Sequence, residues 1–167
     1  IRRILRGVRP LSPVRLAGMD MEKNLRLYRE VIEAPLTEEE LSYINSGEFD
    51  FAQTLGLKLT YCSKDRLDGA LEVEQRHLQP TGIVNGGLYC VIGETLASIA
   101  AVAASAKPAV GMSNYTDLLG SVRLGQTIRA VAEPVHVGKR THLWRVEMTA
   151  DGKLAAVTNL KLMVLDR

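Results

Sequence analysis

The chain has 167 residues, 46% hydrophobic and 24% charged, which suits one domain with a sizeable core and excludes a disordered tail. Aromatic residues are 5% and scattered, so there is no stacking platform for single-stranded nucleic acid. The net charge of +2 is uneven: residues 1–18 hold five arginines and no acid, leaving a net negative remainder that makes a poor phosphate-backbone binder.

The basic head (Arg2, Arg3, Arg6, Arg9, Arg15) reads as a leader segment, with a membrane surface, nucleic acid or a transit role as alternatives. The chain opens at Ile1, and Met19 and Met21 are alternative starts. From Asp20 to Glu33, Leu25, Tyr28 and Ile32 recur at spacings of three and four, which predicts a helix capped by Asp20. After Pro35, Thr37 and Glu40 form a capping box before Leu41, Tyr43 and Ile44, and Gly47 ends that second helix. Phe51, Leu55 and Leu57 lead into strand-like sequence, with strands predicted over Leu57–Tyr61 and Leu71–Gln75. An apolar helix runs from Gly86 to Ala106 and stops before Pro108. Four further strands follow: Val110–Leu118, Gln126–Val137, Thr141–Met148 and Leu154–Leu165. Gly138-Lys139 and Asp151-Gly152 are the turns joining the last three.

This order fits an α+β domain in which a curved antiparallel sheet wraps around one long central helix, with extra helices at the N-terminus. Every face of the central helix carries Ala, Val, Ile or Leu, so it must be covered nearly all round. The run Leu88–Ala106 contains Glu94 and reads as a buried soluble helix rather than a membrane span. Cys62 and Cys90 are too few and too distant for a metal site or disulfide framework, which agrees with a cytoplasmic protein.

The chemistry concentrates at the start of that helix. Gly86-Gly87 opens it, and a helix start offers unpaired amides and partial positive charge to an oxyanion. The same pair also serves a tight strand-to-helix turn. Glu94 is a lone acid in apolar surroundings, a costly placement unless it is functional, is paired, for example with Arg123, or lies on a helix side that reaches solvent. Ser98 lies one turn on, placed to hold that carboxylate or a water, or to bond back to its own helix. Gly86 and Glu94 are eight residues apart, about 12 Å along the helix. One carbonyl carbon cannot touch both in the same subunit. If both act in one site, the acid comes from a neighbouring chain, and a symmetric dimer with two composite sites meets the need.

Gln79-Pro80-x-Gly82-x-x-Asn85-Gly86-Gly87, followed by Glu94-x-x-x-Ser98, resembles the hotdog-fold acyl-CoA thioesterases. The likeness is to the glutamate-using branch of 4-hydroxybenzoyl-CoA and 1,4-dihydroxy-2-naphthoyl-CoA thioesterases, near the phenylacetate-pathway type. It covers roughly residues 50–165, and implies a hotdog domain over 49–167 after a helical extension over 1–48. It further implies that Gly86 donates its amide to the thioester carbonyl and that the partner's Glu94 is nucleophile or general base. Gln79 would orient the carbonyl or a water, and Ser98 stands where that branch often has a water-positioning threonine. Asn85 departs from the usual histidine before the glycine pair; it can donate a hydrogen bond but cannot titrate.

The activity implied is hydrolysis of an aryl- or medium-chain acyl-CoA by a homodimer or a dimer of dimers. Coenzyme A enters as part of the substrate, with no cofactor and no metal. Gly87 is a candidate for substrate binding, and Asn114 and Tyr115 are candidates for the acyl pocket or for core or hydrogen-bonding duty. Lys139 and Arg140, at a basic hairpin tip flanked by His136 and His142, are candidates for the CoA phosphates or for a solvated turn. The histidines lack metal-ligand spacing. The competing expectation is a non-catalytic acyl-thioester binding or regulatory protein on the same scaffold. A dehydratase would need a histidine aimed at substrate, and His77 is the candidate near the glycine helix.

Overall fold

The computed structural model describes residues 26–46 and 51–166. After a 3-10 turn at Arg26–Tyr28 come α1 (Glu38–Asn45) and α2 (Phe51–Thr54). Strands β1 (Lys58–Ser63) and β2 (Arg66–Glu72) precede a second 3-10 turn, Gln75–His77. The long helix α3 (Gly86–Ser105) is followed by β3 (Ala109–Leu118), β4 (Thr127–Val137), β5 (Thr141–Ala150) and β6 (Lys153–Val164). The strands form one antiparallel sheet in the order β1-β2-β4-β5-β6-β3, so β1 and β3 are its edges. The sheet curves around α3, which touches all six strands.

Local chemistry sets the element ends. Asn85 caps α3, its Oδ1 accepting from the Gly87 N–H at 2.8 Å. Ala106 takes a left-handed conformation (φ 53°) to close the helix, and Pro108 prevents its resumption. The β5–β6 hairpin turns on Asp151 (φ 49°) and Gly152 (φ 73°), the positive-φ pair a two-residue turn requires. On the sheet side of α3, Ile92, Leu96, Ala97, Ala100 and Ala101 are buried against Trp144, Met148, Leu160 and Leu162. The alanines keep the helix axis close to the sheet, so the core is thin and dense.

The Thr37–Glu40 capping box forms as the sequence predicts, and Arg26 clamps its acid with Nε to Oε1 at 2.7 Å. That hydrogen bond from Arg26 is the main reason the Glu40 carboxyl falls from 4.5 to about 2. A depressed carboxyl contributes stability above 4.5 that is lost as pH falls towards 2. Glu40→Gln keeps the cap geometry and removes the charge. It should cost about 1 kcal/mol or less at pH 7, because Arg26 is partly solvated. In thermal melts the difference should shrink to nothing near pH 2.

Two expectations need correction, and a third falls partly outside the described residues. Of the helix predicted over Asp20–Glu33, residues 20–25 lie outside the described residues, and 26–33 hold only the 3-10 turn. Leu27 and Ile32 both bury in the core, and Ile32 spends its backbone groups elsewhere. Its N–H donates to Ala103 O at the end of α3, and its carbonyl accepts from the Lys64 N–H, so the segment is a strap and not a helix. The second helix ends at Ser46; Gly47 lies outside the described residues. The strand predicted over Leu71–Gln75 is instead Arg66–Glu72, because pairing with β4 runs from Leu67 to Glu72 and Gln75 enters a 3-10 turn.

The central helix is also less covered than its composition demands. Cys90, Val91, Glu94, Thr95, Ser98, Ile99 and Val102 are only half-buried in the single chain. Beside that stripe runs the edge strand β3, with Val110, Met112, Tyr115 and Leu118 exposed by 46% to 66%. An apolar helix face next to an unpaired, apolar edge strand is a surface that a lone protomer leaves open.

Candidate active site

The site starts at the first turn of α3. Its capping bond engages the Gly87 N–H with the Asn85 side chain, and the Leu88 N–H bonds to Asn85 O at 3.0 Å. The Gly86 N–H has no acceptor among the described residues, so it is the helix-start donor left over for a substrate oxygen. Asn85 therefore serves this site by shaping the helix start, its side-chain oxygen accepting inward, and Gly87 offers no free amide. Gly86 itself sits against Leu118: a β-carbon there would lie 2.7 Å from Leu118 Cδ1. The loop before the helix folds back on it. Leu78 bridges Val84, the Asn85 N–H donates to His77 O, and Gln79 Nε2 donates to Thr81 Oγ1 at 2.8 Å. Gln79 is thus held beside the helix start with its Oε1 left to accept.

Glu94 lies two turns further, half-buried on the open face of α3. Among the described residues it makes no ion pair, with Arg123 or any other cation. Its Oε2 accepts from Asn114 Nδ2 at 3.2 Å, and the same amide nitrogen donates to Cys90 O at 3.0 Å. Its other oxygen rests against Gly111, where any β-carbon would collide with it. Gly111 escapes sequence reading because its reason is a contact between β3 and α3 that no local pattern announces. Gly111→Ala is expected to push the carboxylate from this seat. Turnover should drop about tenfold while the melting temperature stays within a few degrees, as kinetics beside a thermal melt would show. Ser98 is half-buried one turn beyond Glu94 on the same face.

The thioesterase superfamily model matches residues 81–156, the span from the glycine loop to the start of β6. A Mycobacterium tuberculosis protein is 39% identical over 106 residues, covering 60% of this chain and 75% of its own length. The solved structure of that protein superposes with a TM-score of 0.68 at 36% identity, over 70% of this chain and 97% of the other. The 1,4-dihydroxy-2-naphthoyl-CoA hydrolase of Listeria monocytogenes is 31% identical over 116 residues, covering 67% of this chain and 93% of its own. The chain belongs to the thioesterase superfamily. It is a thioester hydrolase with the hotdog fold, its central helix wrapped by the six-stranded sheet.

The remaining candidate residues of this thioesterase fall apart in space. Asn114, Thr116 and Leu118 all face α3, so strand alternation turns Tyr115, which is 66% exposed, to the opposite face. Lys139 and Arg140 sit at the β4–β5 tip, where Arg140 O accepts from the Val164 N–H and β3 begins at Ala109. That is the C-terminal end of α3, about 30 Å from Gly86 along a 20-residue helix. On the Gly86 side, Arg123 and Lys153 flank an open cavity of about 740 Å³ with Leu119, Leu124 and Leu154 on its walls. His142, expected at the solvated tip, is 2% exposed on the inner face of β5, where burial lowers its pKa. His77 is equally interior: its Nδ1 accepts from the Glu74 N–H at 2.9 Å, and its Nε2 is buried as well. Among the described residues, no three His, Cys, Asp or Glu side chains are grouped to hold a metal.

Proposed function

We propose that the active form is a symmetric dimer which hydrolyses an aryl- or medium-chain acyl-CoA to the free acid and CoA, with each site built from Gly86 of one protomer and Glu94 of the other. One observation carries the proposal. The unpartnered Gly86 N–H and the seated Glu94 carboxylate share the open face of one helix, beside an unpaired edge strand, yet lie too far apart to act together within a chain. The strand gives a ruler. Gly86 is at the level of Leu118, and Glu94 at the level of Gly111 and Asn114. If β3 pairs antiparallel with a second copy of itself, the partner's Glu94 reaches Gly86 when the two-fold axis passes halfway between those levels, at Tyr115. The same pairing covers Val110, Met112 and the half-buried stripe of α3, and it carries the Lys139–Arg140 tip of one protomer towards the Gly86 end of the other. From there those cations would meet the CoA phosphates.

In this site the Gly86 N–H stabilises negative charge on the thioester oxygen. The partner's Glu94 either attacks the carbonyl carbon or takes a proton from a water that does so. In the first route the carbon–sulfur bond breaks, CoA leaves as thiolate, and water hydrolyses the resulting anhydride to return the carboxylate. In the second, the water oxygen bonds to the carbon before the thiolate leaves. Gln79 Oε1 and the partner's Ser98 hydroxyl would accept from that water. The aryl preference draws on the likeness to the Listeria hydrolase of 1,4-dihydroxy-2-naphthoyl-CoA. Catalysis is assigned to residues 49–167, with 1–48 as an extension, and to the cytoplasm. The test is a panel of acyl-CoA esters with free thiol release as readout, run beside Glu94→Ala. Cleavage of at least one aryl or medium-chain ester, lost in the variant, supports the proposal. Equal turnover by the variant removes Glu94 from the chemistry, and binding without cleavage makes the chain an acyl-thioester binding protein.

A further inference from the structure

The open face of α3 holds a hydrogen-bonded chain that ends on Glu94 and whose other members the reaction above does not use. Asn114 Nδ2 donates to Glu94 Oε2 at 3.2 Å and to Cys90 O at 3.0 Å. Its Oδ1 accepts from Thr116 Oγ1 at 2.8 Å, and Thr116 Oγ1 lies 2.7 Å from Thr158 Oγ1. A hydroxyl has one proton, and that of Thr116 goes to Asn114, so the Thr158 hydroxyl donates to Thr116. Thr158 is fully buried and wedged against Gly93, where any β-carbon would collide with it. The chain thus runs from an immobile core hydroxyl on β6, through Thr116 and Asn114 on β3, to the carboxylate on α3.

We propose that Asn114 is a positioning residue for Glu94, locked in its amide orientation by Thr116 and Thr158, and that this relay fixes the direction in which the carboxylate is presented across the subunit boundary. The proposal rests on the reading of Glu94 as the reacting acid. The amide has both its donors and its acceptor spoken for. Turned over, it would set its oxygen against two acceptors, the Glu94 carboxylate and the Cys90 carbonyl, a doubly repulsive arrangement. A carboxylate on a three-torsion side chain reaches across to a second protein only if its torsions are held. Gly111 blocks one side, and Asn114 ties the other. Asn114 therefore acts through Glu94 and does not line the acyl pocket on its own account.

The experiment uses the full chain with benzoyl-CoA and octanoyl-CoA in the thiol-release assay. It compares Asn114→Ala, Thr116→Val, Thr116→Ser and Glu94→Gln, each checked for oligomeric mass. Valine keeps the shape and strand preference of threonine and removes only the hydroxyl. Asn114→Ala and Thr116→Val should each lower kcat, by about tenfold and severalfold, with KM within about twofold of the parent. Thr116→Ser should restore kcat, because it returns the hydroxyl without the methyl. Should Asn114→Ala fail to fold, the Thr116 pair carries the test alone. The proposal is overturned if Thr116→Val turns over like the parent, if Thr116→Ser is as impaired as Thr116→Val, or if Asn114→Ala raises KM and leaves kcat intact. If Glu94→Gln retains parental turnover, the reading of the acid falls and this relay with it. If Glu94→Gln is inactive while Asn114→Ala and Thr116→Val match the parent, the relay alone falls.

Discussion

Glu94→Gln is expected to lower kcat by about 10²- to 10⁴-fold, with the dimer and the melting temperature preserved. The amide is nearly isosteric with the carboxylate and still accepts from Asn114 through its oxygen, so the contacts with Asn114 and Gly111 survive. What disappears is the group that, in the proposed mechanism, attacks carbon or takes the proton of water. KM should move little, because in the proposed site acyl-CoA binding draws on the Gly86 amide and the Lys139–Arg140 tip rather than on Glu94. The measurement is steady-state thiol release beside a thermal melt. A variant that loses stability and activity together would point to a structural acid. Full turnover in a stable protein would remove Glu94 from catalysis.

Tyr115→Asp carries the second large effect. In the proposed dimer Tyr115 lies on the two-fold axis and meets its own copy, so one substitution sets two carboxylates beside each other at the centre of the β3–β3 pairing. Like charges directly opposite in a strand pair are destabilising, and Asp117 on the same face of β3 adds to the repulsion. In the single chain Tyr115 is 66% exposed and faces away from α3, so the protomer's own fold should tolerate the change. The expected outcome is a folded monomer at micromolar concentration, by light scattering, with turnover lost in proportion to dimer. Raising the protein concentration should recover specific activity. A monomer with parental activity would show that one chain completes a site.

Some of this arrangement is legible in local sequence. Thr37 and Glu40 announce their capping box because both partners lie within one turn, and Asp151-Gly152 announces its hairpin because the conformation needed is a property of those two residues. The central helix is equally plain, since twenty apolar and small residues between Asn85 and Pro108 admit little else. What escapes is decided between elements. The periodicity of Leu25, Tyr28 and Ile32 looks helical, yet Ile32 bonds to Ala103 and Lys64 across the molecule, and those tertiary bonds outweigh a weak local preference. Lys139 and Arg140 look like phosphate partners at a turn. Only the sheet order places them at the far end of α3 from Gly86. If Gly86 and Glu94 act on one carbon, as proposed, their spacing already calls for a second chain. The seat of the carboxylate, made by Gly111, Asn114, Thr116 and Thr158, depends on how β3 and β6 lie against α3, which no single window of sequence encodes.

The shared site can be tested by complementation. Glu94→Gln leaves Gly86 intact, and Gly86→Val, whose side chain would crowd Leu118 and the amide, leaves Glu94 intact. Each variant alone should be nearly inactive. Mixed in equal amounts, dissociated and reassociated, half the dimers are hybrids, and each hybrid holds one site with both a native Gly86 and a native Glu94. A site shared between protomers should recover about a quarter of parental activity. A mixture no more active than its two components, with hybrid dimers present, would contradict it.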